Sequence, residues 1–189
     1  MEKAFNPLRD QPPETCSVNG NEYRIQSDFR TVLDWIYLMQ GDDSDEDKTI
    51  LGLNLFFGDN IKVDDVKDLV EFLRWFINMG NEQEPPSKGP RTFDLIADSG
   101  RIYAAFYQAY GINLRKVKMH WWIFCTLLEG LPKSTHLADI IELRGRKPEK
   151  WMNAADKLEL ARLQQHYAIG SDHYDPMAGV VETLKGLYQ

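Results

Sequence analysis

The chain has 189 residues, 43% of them apolar and 12% aromatic, with a net charge of −7. That length and apolar content exclude a wholly disordered chain and allow one domain with a sizeable core. The acidic balance argues against a nucleic-acid partner, and no run of about 18 apolar residues suits a membrane span. The charge is uneven: residues 111–150 hold 8 basic and 4 acidic side chains, whereas residues 1–110 hold 11 and 20. Cys16 and Cys125 stand in no metal or redox spacing and read as idle thiols. Met1–Pro7 has no apolar stretch, so no secretory signal is expected.

In chain order, residues 1–14 contain three prolines and no periodicity, which predicts a flexible leader. Thr15–Val18 and Glu22–Ile25 flank Asn19-Gly20, the strongest short hairpin signal. Two strands alone are marginal, so the hairpin must pack on a helix. Ser27 or Asp28 caps a helix to about Met39, with Phe29, Val32, Leu33 and Ile36 on one face and Trp35, Leu38 and Met39 on a second. Asp43, Asp45 and Asp47 have the spacing that opens a calcium loop. The required Gly and Glu are replaced by Lys48 and Asn54, which favours a solvated acidic loop.

A helix over Lys48–Phe57 follows, burying Ile50, Leu53 and Phe57. The next starts near Asp64, and Val66, Leu69, Val70, Leu73, Phe76 and Ile77 fit the helical template. Gly80 is its expected C′ stop, and Phe72, Trp75 and Met79 form a second stripe. Residues 81–91, with three prolines and a glycine, read as a linker loop. A helix over Asp94–Tyr110 leads through Gly111 and Asn113 into one over Leu114–Glu129 that is apolar nearly all round. Its faces hold Leu114, Val117, Trp121, Phe124 and Leu128, and Met119, Trp122, Ile123 and Leu127. Trp121 and Trp122 read as core, with a partner groove as the rival use of such aromatics. Because they lie on different faces, Trp122 is the one expected to point outward.

Ser134 or Thr135 caps a shorter helix bearing Leu137, Ile140, Ile141 and Leu143. Arg144, Arg146, Lys147 and Lys150 then form a basic connector, read as a solvated turn or as a contact for an acidic partner. A last helix over Glu149–Tyr167 places Trp151, Ala154, Ala155, Leu158 and Ala161 on one stripe. Residues 170–189 read as a mobile tail with a short helix near Val180–Leu184. The expected fold is mainly α: a single compact helical domain over 15–169, of about six or seven helices, with a small N-terminal β-hairpin.

The chemistry of sites is sparse. His120, His136, His166 and His173 share no i, i+4 spacing, and no phosphate-binding glycine loop is present. His120, or an acid pair such as Asp94 and Asp98, is the one hydrolase reading. Surface or backbone bonding for His120 and helix salt bridges for the acids are the simpler readings. No catalytic residue, metal ligand or cofactor is assigned.

Several motifs in order resemble the bacteriophage gp-fifteen family over about residues 15–170. They are Val18-Asn19-Gly20-Asn21-Glu22-Tyr23, Asp28-Phe29-Arg30, Tyr110-Gly111-Ile112-Asn113-Leu114, His120-Trp121-Trp122-Ile123-Phe124, Glu129-Gly130-Leu131-Pro132 and Ile141-Glu142-Leu143-Arg144-Gly145-Arg146-Lys147. The resemblance implies a tail assembly chaperone encoded beside the tape-measure protein. Such a protein binds the tape measure, supports tail-tube polymerisation around it, acts in the host cytoplasm and is absent from the mature virion. A structural virion role, as a tail completion or connector component, is the alternative. Non-enzymatic binding, contact with the major tail-tube protein and homo-oligomerisation belong to the same expectation. Physically, Phe72, Trp75, Met79, Met119, Trp122 and Ile123, with Arg144, Arg146 and Lys147, are the candidate partner-binding residues.

Overall fold

The computed structural model describes residues 5–81 and 91–170. These form two compact units, one of residues 5–81 with Lys118–Thr126, the other of residues 91–117 with 127–170. The mainly α class with one hairpin holds, with seven α-helices among the described residues. Residues 82–90 of the expected linker over 81–91, and all but Gly170 of the expected tail, lie outside the described residues.

In the first unit, β1 (Thr15–Val18) pairs antiparallel with β2 (Asn21–Arg24), Val18 opposite Asn21. The two turn residues have positive φ, 48° at Asn19 and 78° at Gly20, as a two-residue hairpin demands. The hairpin is fastened by Asp65, a buried residue of the 3₁₀ turn Val63–Asp65. Asp65 accepts hydrogen bonds from the Tyr23 hydroxyl at 2.6 Å, Asn21 Nδ2 at 2.7 Å and Asn19 Nδ2 at 3.0 Å. The Tyr23 bond, followed by that from Asn19, holds the Asp65 carboxyl below its ordinary range, and the same bond raises the Tyr23 phenol.

Three helices complete this unit: α1 (Phe29–Gln40), α2 (Asp45–Phe57) and α3 (Val66–Ile77). Asp28 caps α1 by accepting from the Arg30 amide, and Ser44 caps α2 by accepting from the Asp47 amide. Helix α2 begins three residues earlier than its apolar pattern indicates, so Asp45, Glu46 and Asp47 fill its first turn, where negative charge is favourable. Its buried face also differs from expectation. Gly52, Leu53 and Phe56 are buried, Phe57 is half-buried, and Ile50 is half exposed. The reason is Gly52: a Cβ there would lie 3.1 Å from Trp35 Cδ1, so the missing side chain lets the α1 indole close on the helix.

The expected helix over Leu114–Glu129 is shorter: α5 spans Trp121–Glu129, and residues 117–119 are irregular. Tertiary pairing overrides helical pattern here. Phe29 N donates to Met119 O, Trp121 N donates to Ser27 O at 2.7 Å, and Met119 N donates to Asp28 Oδ2. Asp28 and His120 thus form an antiparallel bridge. Phe124 of α5 stacks on Phe29 with ring centroids 4.6 Å apart.

In the second unit, α4 (Ser99–Tyr110), α6 (His136–Gly145) and α7 (Ala154–His166) are capped by turns or side chains. Helix α4 starts at Ser99, not Asp94, because Asp94 accepts from the Ile96 and Ala97 amides and so builds a turn ahead of it. Thr135 caps α6, and α7 carries a full capping box between Asn153 and Asp156. Helix α7 therefore starts after Trp151.

The ion pair at the centre of this unit joins Arg144 and Asp98. Asp98 is fully buried and receives Arg144 Nη1 at 2.6 Å and Nη2 at 3.0 Å, with Arg101 Nη1 also at 3.0 Å. Arg144 further donates to the carbonyls of Tyr167 and Thr92. Arg144 is therefore buried and structural, which corrects its place in the exposed basic connector. Burial pushes the Asp98 carboxyl up, but the Arg144 hydrogen bonds and the nearby guanidinium charges outweigh it and hold the group low. Its stabilising effect is accordingly full above the unfolded carboxylate range, near pH 4, and is lost as pH falls through the lower folded value.

Arg144→Ala leaves buried Asp98 with the Asp94 amide and one cation, Arg101, and is expected to destabilise the second unit by about 3–5 kcal/mol. Arg146→Ala, in the exposed remainder of the connector, is expected to stay within about 0.5 kcal/mol. Urea unfolding monitored by far-UV circular dichroism checks both.

Candidate partner-binding site

Helix α3 ends in the first unit at a concentration of aromatic rings. Phe72 and Trp75, one turn apart, are half-buried with centroids 5.3 Å apart. Trp75 meets Trp122 edge to face at 5.2 Å, and Phe5 of the leader meets the other side of that cluster, 4.9 Å from Trp122. Trp122 is 3% exposed, and its Nε1–H donates to Phe76 O at 2.7 Å. Trp121 is also buried, and its Nε1–H donates to Ile77 O at 2.9 Å. Both indoles thus bond carbonyls in the last turn of α3, where a helix runs out of its own amide donors. The expectation that Trp122 points outward is corrected: lying on a different helix face from Trp121 did not free it, because α3 reaches both.

The end of α3 is a Schellman turn, with Gly80 N donating to Trp75 O at 2.9 Å and Met79 N to Phe76 O at 3.1 Å. The left-handed C′ position is Met79, at φ 54°, with Gly80 next at φ 76°. The expected C′ glycine is thus one residue late. Gly80 has its own steric reason: a Cβ would lie 3.3 Å from both Trp122 Cη2 and Trp75 Cζ2. A side chain in the left-handed region costs roughly 1–2 kcal/mol, so the turn retains Met79 against its backbone preference.

These residues floor a cleft of about 320 Å³ lined by Phe5, Arg9, Asp10, Gln11, Pro13, Trp75, Gly80 and Trp122. Its floor is aromatic, and Arg9 and Asp10 on its wall form an exposed ion pair at 2.7 Å. The Trp75 Nε1–H is buried and finds no acceptor among the described residues. A buried donor without a partner is uncommon and costly. Within the leader, Arg9 and Asp10 donate their amides to Asn6 O, and at its end Ile25 N donates to Glu14 O. Sequence reasoning missed its part in the cleft, because three prolines and no periodicity give no packing signal.

Phe72, Trp75 and Met79 therefore lie together at one helix end, with Trp122 beneath. Met119 and Ile123 are half-buried. Arg146 and Lys147 are exposed on the second unit, with Glu149 3.8 Å from Arg146. Among the described residues no group of His, Cys, Asp and Glu is arranged to hold a metal ion. Cys16 is buried, and burial pushes its thiol up to about 11.

His120 sits at the start of α5. Its Nδ1 accepts from the Trp122 amide at 3.1 Å, which puts the neutral ring's proton on Nε2, where it donates to Pro13 O at 3.0 Å. Both ring nitrogens are thus engaged with backbone, one capping α5 and the other holding the leader. Burial lowers the imidazole below its usual range, outweighing the opposite pull of the Pro13 carbonyl and Glu14.

A family model described as bacteriophage Gp15 protein matches residues 8–169. The chain belongs to that family. It is therefore a bacteriophage structural or morphogenesis protein. No curated protein and no solved structure gives a match. No helix of the described residues is long and apolar enough to cross a membrane. The matched span of this Gp15 protein includes the leader from Leu8, the aromatic end of α3 and the buried Asp98–Arg144 pair.

The His120 geometry fixes a pH dependence. The unfolded imidazole titrates near pH 6.5, whereas the folded one does so lower, so the unfolded chain binds the extra proton first. Stability is expected to fall as pH drops below about 6.5 and to be unaffected by this group above it. His120→Asn, which retains a capping oxygen, is expected to flatten that part of the slope. Urea midpoints between about pH 7 and pH 5 measure it.

Proposed function

We propose that this Gp15 protein is a non-enzymatic tail assembly chaperone that binds the phage tape-measure protein and supports assembly of the tail tube around it. The observation that carries the reading is the aromatic cleft at the end of α3. Trp75, with its unpartnered indole N–H, lines the cleft with Gly80 and Trp122, Phe72 packs on Trp75, and strained Met79 precedes Gly80. Its volume sits at the lower end of about 300–1,000 Å³, the range of ligand pockets, which suits anchoring side chains of an amphipathic helix. Methionine and aromatic surfaces repack against varied apolar anchors, a property required for many similar segments of one long helical chain. Weak repeated contacts along such a chain gain strength by avidity, which favours several copies per tape measure. The major tail-tube protein is a second partner of the complex. The protein acts in the host cytoplasm and leaves before the virion matures.

Co-expression with the tape-measure protein tests this. The wild-type chain is expected to keep that protein soluble and to co-purify with it. Trp75→Ala is expected to weaken capture at least about tenfold, the loss of one interface anchor, while far-UV circular dichroism stays native. Met79→Gly relieves the left-handed strain and is expected to raise stability by up to about 1 kcal/mol while reducing capture. Equal capture by wild type and Trp75→Ala, or the chain present stoichiometrically in purified particles, overturns the reading.

A further inference from the structure

The cleft at the end of α3 already holds an aromatic side chain, and it is the chain's own. Phe5 is half-buried, and its ring meets the Trp122 indole edge to face at 4.9 Å and 71°. Residues 6–9, which follow it, are all exposed, and Leu8 is 97% exposed. They add little packing to the unit, and the leader here is closed on itself instead. Asp10 Oδ2 accepts from the Asn6 amide at 3.0 Å, Asn6 Oδ1 from the Leu8 amide at 3.0 Å, and Asn6 O from the amides of Arg9 and Asp10. A turn bonded in this way moves as one piece. Its far end is pinned, because His120 Nε2 donates to Pro13 O at 3.0 Å. Pro12 and Pro13 have no amide hydrogen, and their fixed φ stiffens the link between turn and pin. The leader is thus a short arm fastened at Pro13, with Phe5 at its tip on the aromatic cluster.

We propose that this arm is a displaceable strap. In the free protein Phe5 occupies the place on Trp122 that an apolar side chain of the partner takes in the complex. The identity of that partner rests on the chaperone reading, whereas the covering of Trp122 does not. With Phe5 in it the cleft measures about 320 Å³, small for a ligand pocket, and withdrawal of the ring extends it along the Trp122 face. An edge-to-face pair of this kind is exchanged one for one by an incoming aromatic or aliphatic anchor, at little net cost. The cover has a physical use. Without it the two indoles beside Gly80 join an open apolar patch, and such patches invite self-association. A tethered stand-in also lowers apparent affinity by the fraction of time that the cleft is closed. Only a ligand with a suitable anchor then gains entry.

Two measurements on the full chain test this. The first needs no partner. Trp151, 67% exposed, is replaced by Phe so that the other four indoles, buried or half-buried, report alone. Acrylamide quenching of their fluorescence is expected to rise in Phe5→Ala and to stay near the wild-type level in Phe5→Leu, which keeps an apolar cover. Unchanged quenching in Phe5→Ala, with native far-UV circular dichroism, overturns the inference. The second titrates a soluble segment of the tape-measure protein. Phe5→Ala is expected to bind it about three- to tenfold more tightly than wild type, the gain from removing one competing aromatic pair. Equal or weaker binding by Phe5→Ala makes Phe5 part of the contact surface rather than a cover, and overturns the strap while leaving the chaperone reading intact. Equal capture by wild type and Trp75→Ala removes the chaperone reading alone, since quenching still decides whether Phe5 covers Trp122.

Discussion

The first unit depends on how the carbonyls at the end of α3 are bonded. A helix leaves its last carbonyls without amide partners, and burial makes that costly. Here consecutive indoles answer the need: Trp121 bonds Ile77 O and Trp122 bonds Phe76 O. Helix α5 starts at Trp121, and the residues just before it pair with Ser27–Phe29. His120 lies at the junction. It caps α5 with one nitrogen and holds Pro13 with the other, so the leader is positioned by the same junction that ends α3.

Buried carboxylates do comparable work in each unit by different chemistry. Asp65 is held by neutral donors, a phenol and two amides, all from the hairpin. Asp98 is held by guanidinium groups from α4 and α6. A buried ion pair gives little net stability against an apolar substitute, whereas loss of one partner is severe. These arrangements select which hairpin and which helices meet, and the apolar cores supply the driving force.

Much of this was legible in the sequence where a signal is local. Asn19-Gly20 specifies its turn, and the Leu69, Val70, Leu73, Phe76 and Ile77 face of α3 follows from period alone. Asp28 and Thr135 cap as their side chains dictate. Failures occur where a distant group decides. The α2 face turns on the contact between Gly52 and Trp35. The start of α5 turns on a bridge to Asp28, 92 positions away in numbering from His120. Arg144 read as solvated because its run is basic, and only Asp98, far off in sequence, buries it. Of the candidate site, the second stripe of α3 was visible as surplus aromatics. The leader side of the cleft was not, since proline-rich sequence without period carries no record of what it packs on.

The places where local rules are broken fall close together. Met79 occupies a backbone region that glycine prefers, Trp75 holds a buried indole N–H without an acceptor, and both lie at the turn where Gly80 separates two indoles. Elsewhere in the first unit the same sequence follows the rules closely, with side-chain caps on α1 and α2 and a fully bonded Asp65. Strain and unsatisfied polarity persist where surrounding structure enforces them, and they gather at sites that bind. The Schellman turn enforces the strain here, because both of its hydrogen bonds require Met79 to be left-handed. The same turn sets Met79 directly after the stripe of Phe72 and Trp75, on a helix end whose carbonyls are already taken by Trp121 and Trp122. What remains for a partner at this end is side-chain surface: the half-buried Phe72 and Trp75 rings and the Met79 thioether. That inventory favours recognition of apolar helical segments over recognition of a charged or polar ligand.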